Sequence, residues 1–328
     1  MSTQTPAPVQ PLVSVVVPCF NAERWIAECV DSVLAQTYSH VELIVVNDGS
    51  NDESAKILEV YGKRLRVLDQ KNLGGNRARN AGLSVCKGEF VVFLDADDFL
   101  LPNAIKAHVE NLAQSGAGLS FAWWRHLHHE KKGLRWETIR KELPLEDLLT
   151  SLLMGWWIPP CGVLWRRSEL ERIGKWDDTF PTAQDTEVIH RAGAMGVTFS
   201  VVSELAGVYR RHDGFMVSTA DPINRRKWHL QNLRNTIRIL NNQNRLPKYQ
   251  NLIASRLRTL SLGALYEDPD TFDAANRLAD ELNSRAKPTA TPTYHLFLCV
   301  LGLRRTERLA EVKRAILRKS RRLSRKAG

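Results

Sequence analysis

The chain has 328 residues, 43% of them apolar and 25% charged, which suits about two globular domains and is too apolar for a disordered chain. Its five cysteines (Cys19, Cys29, Cys86, Cys161 and Cys299) are scattered without a CxxC spacing, which argues against a disulfide framework or structural zinc and for a reducing cytoplasm. The net charge of +10 is concentrated in 304–328, where eleven Lys/Arg and two Glu leave +9; the body is nearly neutral, and no nucleic-acid partner is expected.

The opening MSTQTPAPVQ is polar and Pro-rich, which predicts a disordered start over 1–10 and no targeting segment. No run of about 18 apolar residues encodes a membrane span. A strand over 12–17 stops at Pro18, and a patterned stretch over 23–35 follows. Next come a strand over 41–47, a helix over 52–61 and a short strand over 64–69. A helix is entered through Gly74 and Gly75, a buried strand covers 89–95, and another helix runs from Pro102 to about Gly116 before the strand GLSFAWW. Near-continuous apolar strands alternating with helices predict a doubly wound, mostly parallel α/β sheet, whose ligands sit at the carboxyl ends of the strands. Beyond it lie a mixed stretch over 130–157, two strand-like pieces, VTFSVVS and LAGVYRR, and a helical final third broken near Pro247, Pro269 and Pro288.

Polar groups cluster just past three of these strands: Pro18 to Asn21, Asn47 to Asp52, and Asp95 to Asp98. Turn and helix-cap preferences account for Asp52 or Asp98 taken singly; three clusters on one predicted crevice point to a ligand. The run FLDADD sends two carboxylates, Asp95 and Asp97, off a buried strand. Hard divalent cations such as Mn2+ or Mg2+ prefer such oxygen ligands and share them with substrate phosphates.

Together, VSVVVPCFNAERWIAECVDSVLAQTY, VELIVVNDGSNDES, NLGGNRARNAGL, GEFVVFLDADD and YRRHDGFMVS resemble family 2 glycosyltransferases of the GT-A fold over about 12–218. The resemblance implies an inverting, metal-dependent transfer of a sugar from a nucleotide-sugar donor, UDP-linked, to a glycan or lipid-linked acceptor in cell-surface polysaccharide synthesis. It implies that Pro18, Phe20, Asn21 and Asp48 line the base pocket, that Asp95 faces the ribose and that Asp97 binds the metal. Arg79 is either a nucleotide contact or a helix-surface ion pair. His212 matches a position that adds a metal or diphosphate contact. Arg210 and Arg211 could pair with phosphate or with surface carboxylates.

The same resemblance makes Asp185 the base, with Gln184 where the family usually has Glu, and sets Cys161 and Gly162 toward the donor sugar. A helix N-terminus would favour an ionised Asp185; Glu187 is the second choice. Trp156, Trp157 and Trp176 are sugar-stacking faces or core residues. His126, His128 and His129 are expected in a solvated loop, since a metal cluster there finds no matching partners in the sequence. The tail carries Leu309, Val312, Ile316 and Leu323 as one stripe on a very basic helix, which suits an anionic membrane surface or a solvated end. The expected organisation is a GT-A domain over 11–220, a helical extension over 221–303 and a basic tail over 304–328. The expected location is cytoplasmic, peripheral at the inner face of the plasma membrane. A non-catalytic nucleotide-sugar or carbohydrate binder and a sugar nucleotidyltransferase are the rival readings; retention of Asp97 and Asp185 opposes the first, and the lack of a Gly-rich phosphate loop with an N-terminal arginine opposes the second.

Overall fold

The computed structural model describes residues 10–130, 133–139, 147–212, 221–265 and 267–288. The N-terminal start, the residues of the YRRHDGFMVS motif beyond His212 and the basic tail lie outside them.

Four strands form a parallel half-sheet: β1 (Val13–Cys19), β2 (Val41–Asn47), β3 (Arg66–Asp69) and β4 (Phe90–Phe93), in the spatial order β3-β2-β1-β4. The register aligns Val13 with Val41 on one side and with Phe90 on the other. Side chains alternate across β1. Val13, Val15 and Val17 enter one core with Ile26, Val30 and Val33 of α1 (Ile26–Leu34). Val16 enters the other with Ile44, Val46 and, from α3 (Gly75–Val85), Ala78 and Leu83; α2 (Ser54–Glu59) lies between them in sequence. Each such buried aliphatic contributes about 1.5–3 kcal/mol over exposure. Gly82 lets α3 press on β1: a Cβ there would sit 2.4 Å from Val16 Cγ1, so Gly82→Val would force the layers apart.

Pro18 does not end β1 but pairs with Val46. Pairing with β4 has already stopped at Val16, so no neighbour there requires the N–H that proline lacks.

The other half of the sheet is mixed. It holds β5 (Phe99–Leu100), β6 (Leu119–Glu130), β7 (Gly133–Ile139), β8 (Val163–Arg166) and β9 (Phe199–Arg211). Strand β8 joins β4 and β6 antiparallel, β9 runs parallel to β6, and β7 forms a ribbon on β6. The two strand pieces expected over 197–211 are one strand: pairing jumps from Ala122–Val202 to Trp123–Leu205, a bulge that re-aims the chain toward the site. Helices α4 (Ala104–Ser115), α5 (Leu148–Leu153), α6 (Arg167–Arg172) and α7 (Gln184–Ala194) complete this unit. Asp147 caps α5 by accepting from Thr150 N at 2.8 Å.

The chain divides into two compact units, one running to Asp221 together with Arg238–Leu240 and one made from the residues beyond. The second holds the helix Pro222–Asn242, apart from Arg238–Leu240, and the helices Leu246–Ala264 and Pro269–Asn283. Pro247 and Pro269 open helices, as their fixed φ and missing donor favour, and Asp268 caps the last by accepting from Thr271 N. Among the described residues, no helix is long and apolar enough to cross a membrane.

Candidate active site

Because β1, β2 and β4 run parallel, the polar clusters that follow them share one sheet edge. Asp48 is buried and both its oxygens are engaged: Oδ1 accepts from Gln70 Nε2 at 2.6 Å and Leu73 N at 2.9 Å, and Oδ2 from Gly74 N at 2.9 Å. Asp48 thereby fixes the loop that enters α3. Asn21 adopts a left-handed φ of 48°; its backbone N–H donates to Ser50 Oγ and its side-chain Oδ1 accepts from Asn51 N. Asp52 bridges Glu23 N and Ser54 N; burial raises its carboxyl, but the Ser54 hydroxyl together with these backbone N–H groups outweighs it and holds the carboxyl below the ordinary value. Pro18 closes this edge half-buried, and Phe20 stays 45% exposed, an aromatic face left open beside the polar turn.

The turn after β4 carries Asp95, Asp97 and Asp98. Arg79, on α3, is buried rather than on the helix surface. Its Nη2 pairs with Asp95 Oδ1 at 2.5 Å, its Nη1 donates to Gln184 Oε1 at 2.8 Å, and its guanidinium lies 4.6 Å over the Trp176 ring. Asp97 Oδ2 meets His212 Nε2 at 3.1 Å. Asp98 does not cap a helix: it is buried and accepts from Arg210 N at 2.8 Å. Burial, with Asp97 and Asp95 adding repulsion, pushes its carboxyl well above the usual range.

Arg210 ties this turn together. It is buried, with Nε donating to Asp97 O at 2.7 Å, Nη2 paired to Glu28 Oε2 at 2.6 Å and Nη1 reaching His129 Nε2 at 3.0 Å. Trp25 lies beneath it at 4.4 Å and also packs on the His212 ring at 5.2 Å. Sequence reasoning missed Trp25, Glu28 and the role of Arg210. The available signal was the alternation of Val208 and Arg210 along β9, which turns both inward, and the three-residue spacing of Trp25 and Glu28 along the chain at the start of α1.

Asp185 sits in the first turn of α7, entered through Ala183 in a left-handed conformation with φ 56°. Trp157 Nε1 donates to Asp185 Oδ2. Below the carboxylate is a small apolar pocket whose walls include Phe93, Val163, Trp165, Val188 and Ile189. Burial raises the Asp185 carboxyl, opposed by the Trp157 N–H and the Thr186 backbone N–H. The expected lowering by the helix dipole is outweighed by desolvation. Glu187 is buried and locked to Arg191 through both oxygens, at 2.7 and 2.8 Å, so it plays a packing role.

Cys161 and Gly162 form a buried turn between α5 and β8; the Cys161 thiol packs on Gly207, where a Cβ would come within 2.8 Å of its sulfur, and Cys161 belongs to the core that holds Val13, Val15 and Val17. Trp176 is core; Trp156 is half-buried against Trp123. His126, His128 and His129 lie in β6 rather than in a solvated loop. Densely polar residues there still pair because β7 and β9 flank the strand. Asp97 and His212 could hold a divalent cation: one oxygen and one nitrogen donor meet at 3.1 Å, a set that Mn2+ accommodates more readily than Mg2+.

Residues 14–167 match the family model described as Glycosyl transferase family 2. Glycosyltransferase EpsJ of Bacillus subtilis, described as uncharacterized, is 47% identical over 93 residues, 27% of this chain and 27% of its own. Glycosyltransferase GlyG of Streptococcus pneumoniae is 41% identical over 110 residues, 32% of this chain and 36% of its own. An uncharacterized glycosyltransferase of Rickettsia felis is 32% identical over 184 residues, 54% of this chain and 31% of its own. The chain spans about a third of the length of these relatives. Among solved structures, S. aureus TarS 1-349 in complex with UDP-GlcNAc superposes with a TM-score of 0.69 at 19% identity, over 93% of this chain and 92% of that one. The fold is accordingly GT-A.

Proposed function

Residues 14–167 belong to glycosyl transferase family 2, and on that premise we propose that the chain is an inverting glycosyltransferase. It moves a sugar from a UDP-linked donor to a glycan or lipid-linked acceptor in cell-surface polysaccharide synthesis; TarS, similar in fold, has been crystallised with UDP-GlcNAc and with UDP. The observation that carries this reading is the Arg79 guanidinium, which joins Asp95 to Gln184. Through it, the carboxylate on the nucleotide side and the residue preceding the base belong to one bonded cluster.

Pro18, Phe20, Asn21 and Asp48 receive the base, with Asp95 and Arg79 on the ribose side; Cys161, Gly162 and Gln184 shape the sugar side. Asp185 accepts the proton of the acceptor hydroxyl as that oxygen bonds to the anomeric carbon and the bond to the nucleoside diphosphate breaks. One displacement of this kind inverts the centre. Its raised proton affinity matches the task, since a base works best with a pKa nearer the operating pH. Trp157 holds the carboxylate in place. A divalent cation held by Asp97 and His212 would offset the negative charge growing on the departing diphosphate. The basic tail over 304–328 attaches the enzyme peripherally to an anionic membrane on the cytoplasmic side.

The test is a panel of nucleotide-sugars offered to the full chain with Mn2+, with Mg2+ and with chelator, scoring nucleoside diphosphate release. Metal-dependent release from one UDP-sugar is expected. Absence of release from every donor, together with no binding of any nucleoside diphosphate, overturns the proposal.

A further inference from the structure

The ribbon of β6 and β7 carries a second cluster of metal-binding side chains, remote in chemistry from the aspartate turn. Residues two apart on a strand share a face, so His126 and His128 point the same way. In the antiparallel register His126 lies opposite Glu137, which puts that carboxylate on the same face. Glu137 Oε2 lies 3.0 Å from His128 Nε2 and 4.0 Å from His126 Nδ1. One ligand atom from each of the three lies within 4.8 Å of the others. His129 faces the opposite side and is engaged by Arg210.

We propose that His126, His128 and Glu137 form a binding site for a late first-row divalent cation, Zn2+ or a close relative, which staples β7 to β6. Two imidazoles and a carboxylate make a donor set that suits Zn2+, Ni2+ or Cu2+ rather than Mg2+. Three protein ligands with water in the fourth position are a common zinc arrangement. With metal–ligand bonds of about 2.1 Å, tetrahedral ligands stand roughly 3.4 Å apart. The pair at 3.0 Å is already near that spacing, His126 needs to close by well under an ångström toward Glu137, and the donor atoms of the two imidazoles, within 4.8 Å of each other, need to close by at most about 1.4 Å to reach it. The side chain of Glu137 is 47% exposed and that of His128 19% exposed, which leaves a path for the ion and its water. Arg135 competes for Glu137 at 3.6 Å but holds Glu130 at 2.9 Å, so it keeps a partner when the metal takes Glu137. Arg211, paired in register with His128, opposes a dication and keeps the affinity below that of a structural zinc centre.

The ion would also be felt beyond the ribbon. The His126 ring packs on Tyr209 at 5.6 Å, and Tyr209 on Trp157 at 5.3 Å. The Trp124 ring lies 6.4 Å from the His126 ring, so tryptophan emission reports occupancy.

Calorimetry of the full chain with Zn2+ alone should show an equivalent of binding that Mg2+ at the same concentration does not compete away. His128→Asn and Glu137→Gln should each weaken it by about tenfold or more, because even the outer partners of metal ligands are worth that much, and the double variant should remove it. Quenching of tryptophan emission by Cu2+ or Ni2+ should fall in parallel. Zn2+ should also raise the melting temperature of the wild type, and this increment should vanish in the double variant while its metal-free melting stays cooperative. The Asp97→Ala variant should retain the Zn2+ equivalent, which separates this site from the one at the aspartate turn. Unchanged stoichiometry and affinity in the double variant, or no Zn2+ binding by the wild type, would overturn the proposal.

Discussion

Trp157 donates its indole N–H to the Asp185 carboxylate, linking the segment after α5 to the first turn of α7. The bond favours the ionised carboxylate, whereas burial favours the neutral acid. In Trp157→Phe burial acts with one opposing donor fewer, so the Asp185 carboxyl rises further and less of it is ionised at any acidic pH. The acid limb of the pH–rate profile should therefore move to higher pH, with turnover recovering as pH increases. A profile superimposable on the wild type would reduce Trp157 to a packing residue.

Asp185→Asn should lower transfer by about 10²- to 10⁴-fold, the usual worth of a positioned base, while affinity for a nucleoside diphosphate is retained. It should also stabilise the fold. A carboxyl whose folded pKa is raised binds its proton more tightly in the native state, so stability is lost as pH rises from the unfolded value, about 3.9, through the folded one. Asparagine carries no such charge and keeps an acceptor for Trp157. In urea melts the variant should exceed the wild type at neutral pH, and the gap should shrink as pH falls.

Arg79→Met should cost on the order of 2–3 kcal/mol in urea unfolding. Breaking a wholly buried pair costs about 3–5 kcal/mol, and Asp95 keeps some water. Arg79→Lys should recover little, because an ammonium cannot span Asp95 and Gln184 as a planar fork does. Full recovery by lysine would show that charge alone matters.

Removing Asp97 as Asp97→Ala should abolish transfer and make nucleoside diphosphate affinity indifferent to Mn2+. Chelation of the wild type should reproduce the loss. Undiminished turnover in excess EDTA would rule out the metal at this turn.

Truncation before Arg304 should leave transfer to a soluble acceptor intact and release the chain from anionic vesicles. Sedimentation at low and high salt measures it, since screening weakens surface attraction. Equal sedimentation of both forms would assign membrane attachment elsewhere.

The parallel half of the sheet was legible because strands buried on both faces read as near-continuous apolar runs, as VSVVV, LIVV and FVVF do. The strand-end aspartates were legible for the same reason, since a charge that follows such a run stands at the crevice. The β6–β7 ribbon was not, because its dense His, Arg and Glu pattern resembles a solvated loop until pairing with β9 is known. An arginine such as Arg210 reads alike in sequence whether it faces solvent or closes on Glu28, 182 positions away. The raised Asp185 carboxyl escaped because the helix dipole is a local property, and burial by Trp157 and the pocket walls is tertiary.

Asp48 has a consequence for motion. A carboxylate offers about four lone-pair sites, and three donors from Gln70, Leu73 and Gly74 already fill most of them. The Leu73 side chain is half exposed, yet its amide hydrogen points inward to a buried acceptor instead of outward to water. In hydrogen–deuterium exchange Leu73 and Gly74 should therefore open with the strands rather than fray with the surface. The segment that looks like a loop in outline belongs, by the free energy needed to open it, to the sheet.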